Sequence, residues 1–417
     1  MARAAEWLGI APDHLFGIAA LPYGSYSAAH HAEQYRVGVA IGDSVLDLTT
    51  ASDRLMPGRA HLFRSGSLDD FLAAGHIAWA QVRAELTRWI SEDRYRAAIE
   101  DLLVPANAVS LRLPFTVADY VDFYASEHHA TNVGRIFRPG GEPLTRNWKH
   151  LPIGYHGRAG SVVVSGTDIR RPCGQILPEG ARDPEFGPSA RLDFEAELGF
   201  VLGAHSLPGE PVPGDRITEH VFGVCVVNDW SARDIQAWES QPLGPFLGKS
   251  FGTTVSPWIL PLAALDRARV RPPSRDASLL PYLTESADWG LDIDFEVRLN
   301  GSLIATPPYS TMYWSPAQML AHMTVNGAAT RTGDLFASGT VSGPEPRQRG
   351  SLIELAWNGE QPVQLDSGES RAWLLDQDEV TIGATAAGPD GSRIGLGSAT
   401  GCILPAVQLP PEGNQRA

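Results

Sequence analysis

Four carboxylates in three separate segments, Asp122, Glu195, Glu197 and Asp229, are the residues of this chain best suited to chemistry. Two of them stand in Leu192-Asp193-Phe194-Glu195-Ala196-Glu197-Leu198-Gly199-Phe200, where acidic and apolar residues alternate. A strand turns residues i and i+2 to one face, so Glu195 and Glu197 would stand side by side with Phe194, Ala196, Leu198 and Phe200 packed behind. Like charges placed that way repel, and a cation between them would relieve the strain. An all-oxygen donor set suits a hard ion such as Ca²⁺ or Mg²⁺. Taken alone, the alternation favours a plainer reading, a solvated acidic face with Lys or Arg neighbours.

Beside the acids the chain offers a polar set: His129, Arg138, Tyr155, Arg233, Gln236, Lys249 and Glu354. Standard motifs do not absorb it. There is no His-Glu-x-x-His and no Gly-x-Ser-x-Gly elbow. Gly244-Pro245-Phe246-Leu247-Gly248-Lys249-Ser250 is one residue short of a phosphate loop, and Pro245 removes an amide such a loop needs. Gly395 and Gly397 lack the third glycine of a dinucleotide fingerprint and a surrounding βαβ unit. Nucleotide binding is therefore not expected.

The elements that must position these groups read as mostly β, with 42 glycines and 32 prolines punctuating short β-branched and aromatic runs. Tyr35 to Leu48 predicts a hairpin turning at Gly42-Asp43. A helix is expected after Ser67 as N-cap, with Asp69 and Asp70 in its first turn and a core stripe of Trp79, Val82, Leu86 and Trp89. A second helical stretch is expected from Arg94 to Leu103, ended by Pro105. The segment from Val104 to Pro114 reads as a boundary between a domain of residues 1–114 and one of 115–417. In the second, strands are expected at Ser161 to Ser165, Val221 to Val227, Leu291 to Leu299 and Glu379 to Ile382, and an irregular exposed loop from Pro272 to Ser286.

Gross composition limits the function classes. The 417 residues exceed one ordinary core, and 43% hydrophobic with 19% charged residues is a globular balance. A formal charge of −15 argues against a nucleic-acid or anionic-membrane partner. The three cysteines, Cys173, Cys225 and Cys402, are widely spaced, which excludes a disulfide framework or thiolate zinc site and fits a reducing compartment. The segment from Met1 to Trp7 has an early acid and no apolar core of a leader, and no stretch of about 18 apolar residues suggests a membrane helix. A cytoplasmic protein is expected.

Several long motifs then converge. Asp122-Phe123-Tyr124-Ala125-Ser126-Glu127-His128-His129-Ala130-Thr131-Asn132 resembles the catalytic segment of the fumarylacetoacetase family. So do Leu151 to Arg158, Asn228 to Gln236, Pro242 to Thr254 and Ala337 to Pro346. In the N-terminal part, Leu21-Pro22-Tyr23-Gly24 and the hairpin match as well. The resemblance spans nearly the whole chain and implies a mainly β fold, a small SH3-like N-terminal barrel ahead of a larger β-rich catalytic domain, and a homodimer. It implies metal-dependent hydrolysis of the carbon–carbon bond of a β-diketone, 4-fumarylacetoacetate to fumarate and acetoacetate, the last step of tyrosine and phenylalanine catabolism.

Residue by residue, the resemblance implies Ca²⁺, or Mg²⁺ or Mn²⁺ in its place, on Asp122, Glu195, Glu197 and Asp229. It implies a second, structural Mg²⁺ near Asp229, Lys249 and Thr253, the last two through main-chain oxygens. His129 would be the base oriented by Glu354; spacing alone does not separate it from His128, whereas the family motif selects His129. Arg233, Gln236 and Lys249 would hold the tetrahedral oxyanion. Tyr124, Arg138 and Thr340 would bind substrate, with Tyr155 either lining the same pocket or serving as a buried structural tyrosine. One position departs: the family's substrate-contacting tyrosine after Trp238-Glu239 is Ser240 here, which points to weaker substrate binding or an acylpyruvate-like preference. A decarboxylase or isomerase of the wider superfamily and a noncatalytic Ca²⁺-binding β protein are the rival classes.

Overall fold

The computed structural model describes residues 4–28 and 34–407; Met1-Ala2-Arg3, at the head of the segment read for a leader, lie outside them. The N-terminal part is an antiparallel five-stranded sheet in the spatial order Leu103–Pro105, Ser44–Asp47, Arg36–Ile41, Tyr23–Ala28, Val109–Arg112. Ile41 pairs with Ser44, so the hairpin turns at Gly42-Asp43 as its sequence predicts. Pro105 does not end a helix. It stands in the edge strand opposite Ser44, where a missing N–H costs no ladder bond. Helical turns occupy Asp93 to Leu102, but only Arg96–Ile99 is α-helical.

The helix expected after Ser67 is two helices, Asp69–Ala73 and Gly75–Ser91. Gly75 at φ +79° breaks the run, and Leu68 rather than Ser67 takes the cap position. The predicted stripe holds: Trp79, Val82, Leu86 and Trp89 are all buried. They close over Tyr23 and Phe71, and Phe222 of the larger sheet inserts its ring edge-on against Tyr23, Phe71 and Trp79. One core is thus shared between the N-terminal helices and one face of that sheet.

The larger sheet runs Gly154–His156, Asp119–Phe123, Asp334–Ala337, Ala196–Leu202, Val221–Asp229, Thr253–Val255, Val162–Val164, with Leu260–Pro261 paired beside Val221–Asp229. Its two central strands are buried along their whole length, and Val221 to Val227 accordingly reads as a near-continuous apolar run. Successive residues go to opposite cores: Val224 and Val226 to the C-terminal core, Cys225 and Val227 to the N-terminal one. By the same parity Asp122, Glu197 and Asp229 share a face with Tyr120, Val201 and Val227, so three of the four acids reach one point from non-consecutive segments. A second sheet, from Ser302–Ala305 through Ile293–Leu299, Glu379–Ala387 and Arg393–Leu404 to Ile169–Arg170, backs this core. Ile293–Leu299 alternates buried and exposed, as a one-sided strand should. The loop expected from Pro272 to Ser286 is irregular but not wholly exposed. Arg275 donates to the Tyr313 carbonyl and to Gln318, and Leu283 is buried.

Gly339, just after the Asp334–Ala337 strand, fixes how Thr340 enters the site. It has φ +73°, and a Cβ there would lie 2.1 Å from the Phe123 carbonyl oxygen. Gly339→Ala is therefore expected to cost at least ~2 kcal/mol of stability. Thermal melting checks it. A melt superimposable on the parent's would show that this backbone can relax.

Candidate active site and metal centre

The four acids meet. Carboxylate oxygens of Asp122, Glu195, Glu197 and Asp229 lie within 4.8 Å of one another, and all four side chains are buried. Lys249 donates its ammonium to Glu195 Oε2 and Asp229 Oδ2, each at 2.6 Å. Tyr155 donates to Asp229 Oδ2 at 3.1 Å and Thr253 to Asp229 Oδ1 at 3.2 Å. The solvated acidic face is thereby excluded, and the cation expected between the acids is in part Lys249.

Lys249 does not complete the set. Both Glu197 oxygens and Asp122 Oδ1 are buried without any hydrogen-bond partner. Orphaned buried carboxylate oxygens are costly, and a divalent cation is the group that would satisfy them. Burial first, then the neighbouring carboxylates, push the Asp122 and Glu197 carboxyls well above the usual range. For Glu195 burial works the same way, but Lys249 and Arg233 outweigh it and hold that carboxyl low. The all-oxygen donors fit Ca²⁺, Mg²⁺ or Mn²⁺.

His129 is placed by the Glu127–Phe137 helix, whose N-cap Ser126 accepts the His129 amide. Its Nδ1–H donates to Glu354 Oε2 at 2.6 Å, which leaves Nε2 toward Thr340 Oγ1 at 3.2 Å and Glu195 Oε1 at 3.9 Å. The hydrogen-bonded nitrogen sets the tautomer. Tyr124 packs edge-on against the imidazole with ring centroids 5.3 Å apart. Glu354 is fully buried and accepts from Asn132, Ser342 and Ser351 as well. Burial opposes its charge, but His129 and these donors outweigh it and keep the carboxyl below its ordinary value. His128 is only partly buried, on the same helix.

Arg233 is buried with every nitrogen engaged: Nε on Asp193 at 2.8 Å, Nη2 on Glu195 at 2.6 Å, and Nη1 on Gln236 Oε1 at 3.1 Å. Lys249, Arg233 and His129 therefore all converge on Glu195. Ser240 caps the Arg233–Glu239 helix and donates its hydroxyl to the Gln236 carbonyl. Arg138 hydrogen-bonds to none of these groups, though its charge is felt at Tyr124. It is exposed at the end of the Glu127–Phe137 helix, with its guanidinium on the carbonyls of Glu142 and Pro143. A cavity of about 260 Å³, lined by Tyr155, Arg158, Asp229, Phe246, Lys249 and Thr253, opens onto the cluster.

Sequence reasoning missed Asp193, Asn132, Ser342 and Ser351. Asp193 left a signal as the first acid of the same alternating run, and Ser351 as the Ser of Ser-x-x-Glu three residues before Glu354; Asn132 and Ser342 meet Glu354 through contacts no local pattern records.

The comparisons with known proteins agree with this geometry. Residues 19–114 match the family model described as Fumarylacetoacetase N-terminal, and residues 119–403 match Fumarylacetoacetate (FAA) hydrolase C-terminal. A fumarylacetoacetase of Bos taurus is 44% identical over 97% of this chain and 100% of its own length. One of Arabidopsis thaliana is 44% identical over 97% and 99%. Among solved structures, fumarylacetoacetate hydrolase from psychrophilic Exiguobacterium antarcticum superposes with a TM-score of 0.55 at 16% identity, covering 92% of this chain and 99% of that one, a likeness of fold.

Proposed function

The chain belongs to the fumarylacetoacetase family of carbon–carbon bond hydrolases, and on that premise we propose that it cleaves 4-fumarylacetoacetate with water to fumarate and acetoacetate. The observation that carries this reading is the convergence of a carboxylate-oriented histidine, two buried cations and four buried acids on one point.

The roles follow from the atoms. Nε2 of His129 is the imidazole nitrogen on the cluster side, beside Thr340 Oγ1, and in this reading it takes the proton from the attacking water. Glu354 holds the ring and stabilises the imidazolium that results. Water oxygen adds to the substrate carbonyl carbon, and the negative charge passes to the carbonyl oxygen. In this reading Arg233, Gln236 and Lys249 donate to that oxyanion, each such donor typically worth ~3–4 kcal/mol of barrier. The carbon–carbon bond then breaks, its electrons leave on the acetoacetate fragment, and a proton returns to that carbon. Asp122, Glu195, Glu197 and Asp229 would hold a divalent cation, which would supply Lewis-acid polarisation of the diketone oxygens. The same reading includes a second cation at Asp229, Lys249 and Thr253. The Lys249 ammonium is already bound to acids, so Lys249 would serve there through its main-chain oxygen.

Tyr124, Tyr155 and Thr340, which border His129 or Asp229, line the substrate; Arg138 would have to turn inward to grip a carboxylate. The division at residue 114, a homodimer and a cytoplasmic location belong to this reading. The gap between the two family matches supports the first, and the exposed apolar side chains of Trp238, Leu243, Phe246 and Leu247 support the second. The free Cys173, Cys225 and Cys402 support the third. Among the described residues no helix is long and apolar enough to cross a membrane.

Ser240 keeps a second specificity in view, that of an acylpyruvate hydrolase, because a short hydroxyl bound to its own helix does not replace the reach of a phenol. Purified protein and Ser240→Tyr are assayed on fumarylacetoacetate beside a panel of acylpyruvates. Fumarylacetoacetate is expected to be the fastest substrate, and Ser240→Tyr to raise kcat/KM for it relative to the smaller diketones. Rapid acylpyruvate cleavage with little action on fumarylacetoacetate would move the protein to the second specificity.

A further inference from the structure

Asp193 is a fully buried carboxylate that takes no part in the cation cluster, yet all of its acceptor capacity is used. Oδ1 accepts the amides of Phe194 and Leu352, both at 2.7 Å. Oδ2 accepts Arg233 Nε at 2.8 Å and the Ile353 amide at 3.1 Å. Leu352 and Ile353 are the first two residues of the short Leu352–Leu355 helix that carries Glu354. Ordinarily the N-cap side chain satisfies such amides. Here the N-cap is Ser351, and its hydroxyl donates to Glu354 Oε2 at 2.7 Å. The cap is supplied across space by Asp193, which frees Ser351 to fix Glu354.

We infer that Asp193 is a positioning residue that sets Arg233 and Glu354 together. Through Arg233 it aims the guanidinium at Glu195 and Gln236, where the oxyanion donors lie. Through the Leu352–Leu355 helix it holds Glu354 against Nδ1 of His129. One carboxylate, touching neither substrate nor base, fixes the relative placement of the two halves of the catalytic machinery. This rests on the hydrolase reading above for its consequence in turnover, though not for its geometry.

Asp193→Asn tests it. The amide keeps the shape but has one accepting oxygen, and its NH₂ must face either Arg233 Nε–H and Ile353 N–H or the other two amides, donor against donor. Fumarylacetoacetate turnover is expected to fall about 10²-fold in kcat, with KM and the calorimetric Ca²⁺ affinity changed by no more than about threefold. In chains already carrying Arg233→Gln or Glu354→Gln, the same change should cost clearly less than in the parent, because one of the two arms it acts through is already gone. Additive losses in either background, or a rise in KM alone, would overturn the inference. Should Asp193→Asn fail to fold, amide exchange decides it. Arg233→Gln is expected to lower protection of the Leu352 and Ile353 amides at least about tenfold, and unchanged protection overturns the coupling. If the parent cleaves no diketone, the hydrolase reading fails, and the exchange measurement still decides the placement.

Discussion

His129→Ala is expected to lower kcat for diketone hydrolysis by about 10²–10⁴-fold, the span a positioned general base supplies. Its imidazole lies between a buried carboxylate and the acid cluster, with Nδ1 committed to Glu354 at 2.6 Å and Nε2 facing Thr340 Oγ1 at 3.2 Å. Truncation also leaves Glu354 buried, but Asn132, Ser342 and Ser351 still satisfy it, so the fold should persist with only modest loss of stability. His128→Ala, one residue earlier on the partly exposed side of the helix, is expected to leave kcat within about twofold. Steady-state kinetics on the two variants separate the neighbours that spacing alone could not. Equal losses from both, or none from His129→Ala, would remove His129 from the role of base.

The second large effect is expected at Glu197, whose two carboxylate oxygens have no protein partner and no water-exposed surface. Glu197→Gln removes a ligand charge from the cluster and should weaken divalent-cation binding by at least about 10²-fold, with a parallel loss of kcat/KM at limiting metal. In the parent, cation at about a hundred times its Kd should raise stability by about 2.7 kcal/mol, and the variant should lose most of that rise. Metal-free protein gives the opposite sign. Burial and the nearby Asp122, Asp229 and Glu195 raise the Glu197 carboxyl well above its ordinary value. The folded state then keeps a proton that the unfolded chain releases. Stability of the stripped parent should therefore fall as pH rises from the ordinary carboxylate range toward the folded pKa. Glu197→Gln has no proton to keep and should flatten that slope, melting above the stripped parent at neutral pH. Melts with and without EDTA across pH check both halves, and an unchanged slope would show that Glu197 is not the strained acid.

How much of this could be read from the chain depends on the range of the interaction. The hairpin at Gly42-Asp43 and the Trp79-Val82-Leu86-Trp89 stripe are local patterns, and both stand as read. The helix after Ser67 is interrupted at Gly75, whose φ is +79°, and the helical turns through Leu102 give way at Leu103 to a strand partner that outweighs propensity. Glu195 and Glu197 announced themselves by alternation, but only pairing of non-consecutive strands brings Asp122 and Asp229 to them. A longer motif carries His129, and the family resemblance alone pointed to Glu354; their 2.6 Å contact spans 225 positions and leaves no periodic trace. Asp193 was in plain sight in the acidic run, yet nothing local distinguishes an acid that meets a cation from one that caps a helix across space.

The most direct test of the account is hydrolysis of 4-fumarylacetoacetate by EDTA-stripped protein before and after adding back Ca²⁺ or Mg²⁺, with fumarate and acetoacetate both quantified. The account predicts negligible turnover when stripped and one fumarate per acetoacetate once metal is restored. Full activity in the stripped protein would contradict it, because the four buried carboxylates would then have no part in the chemistry.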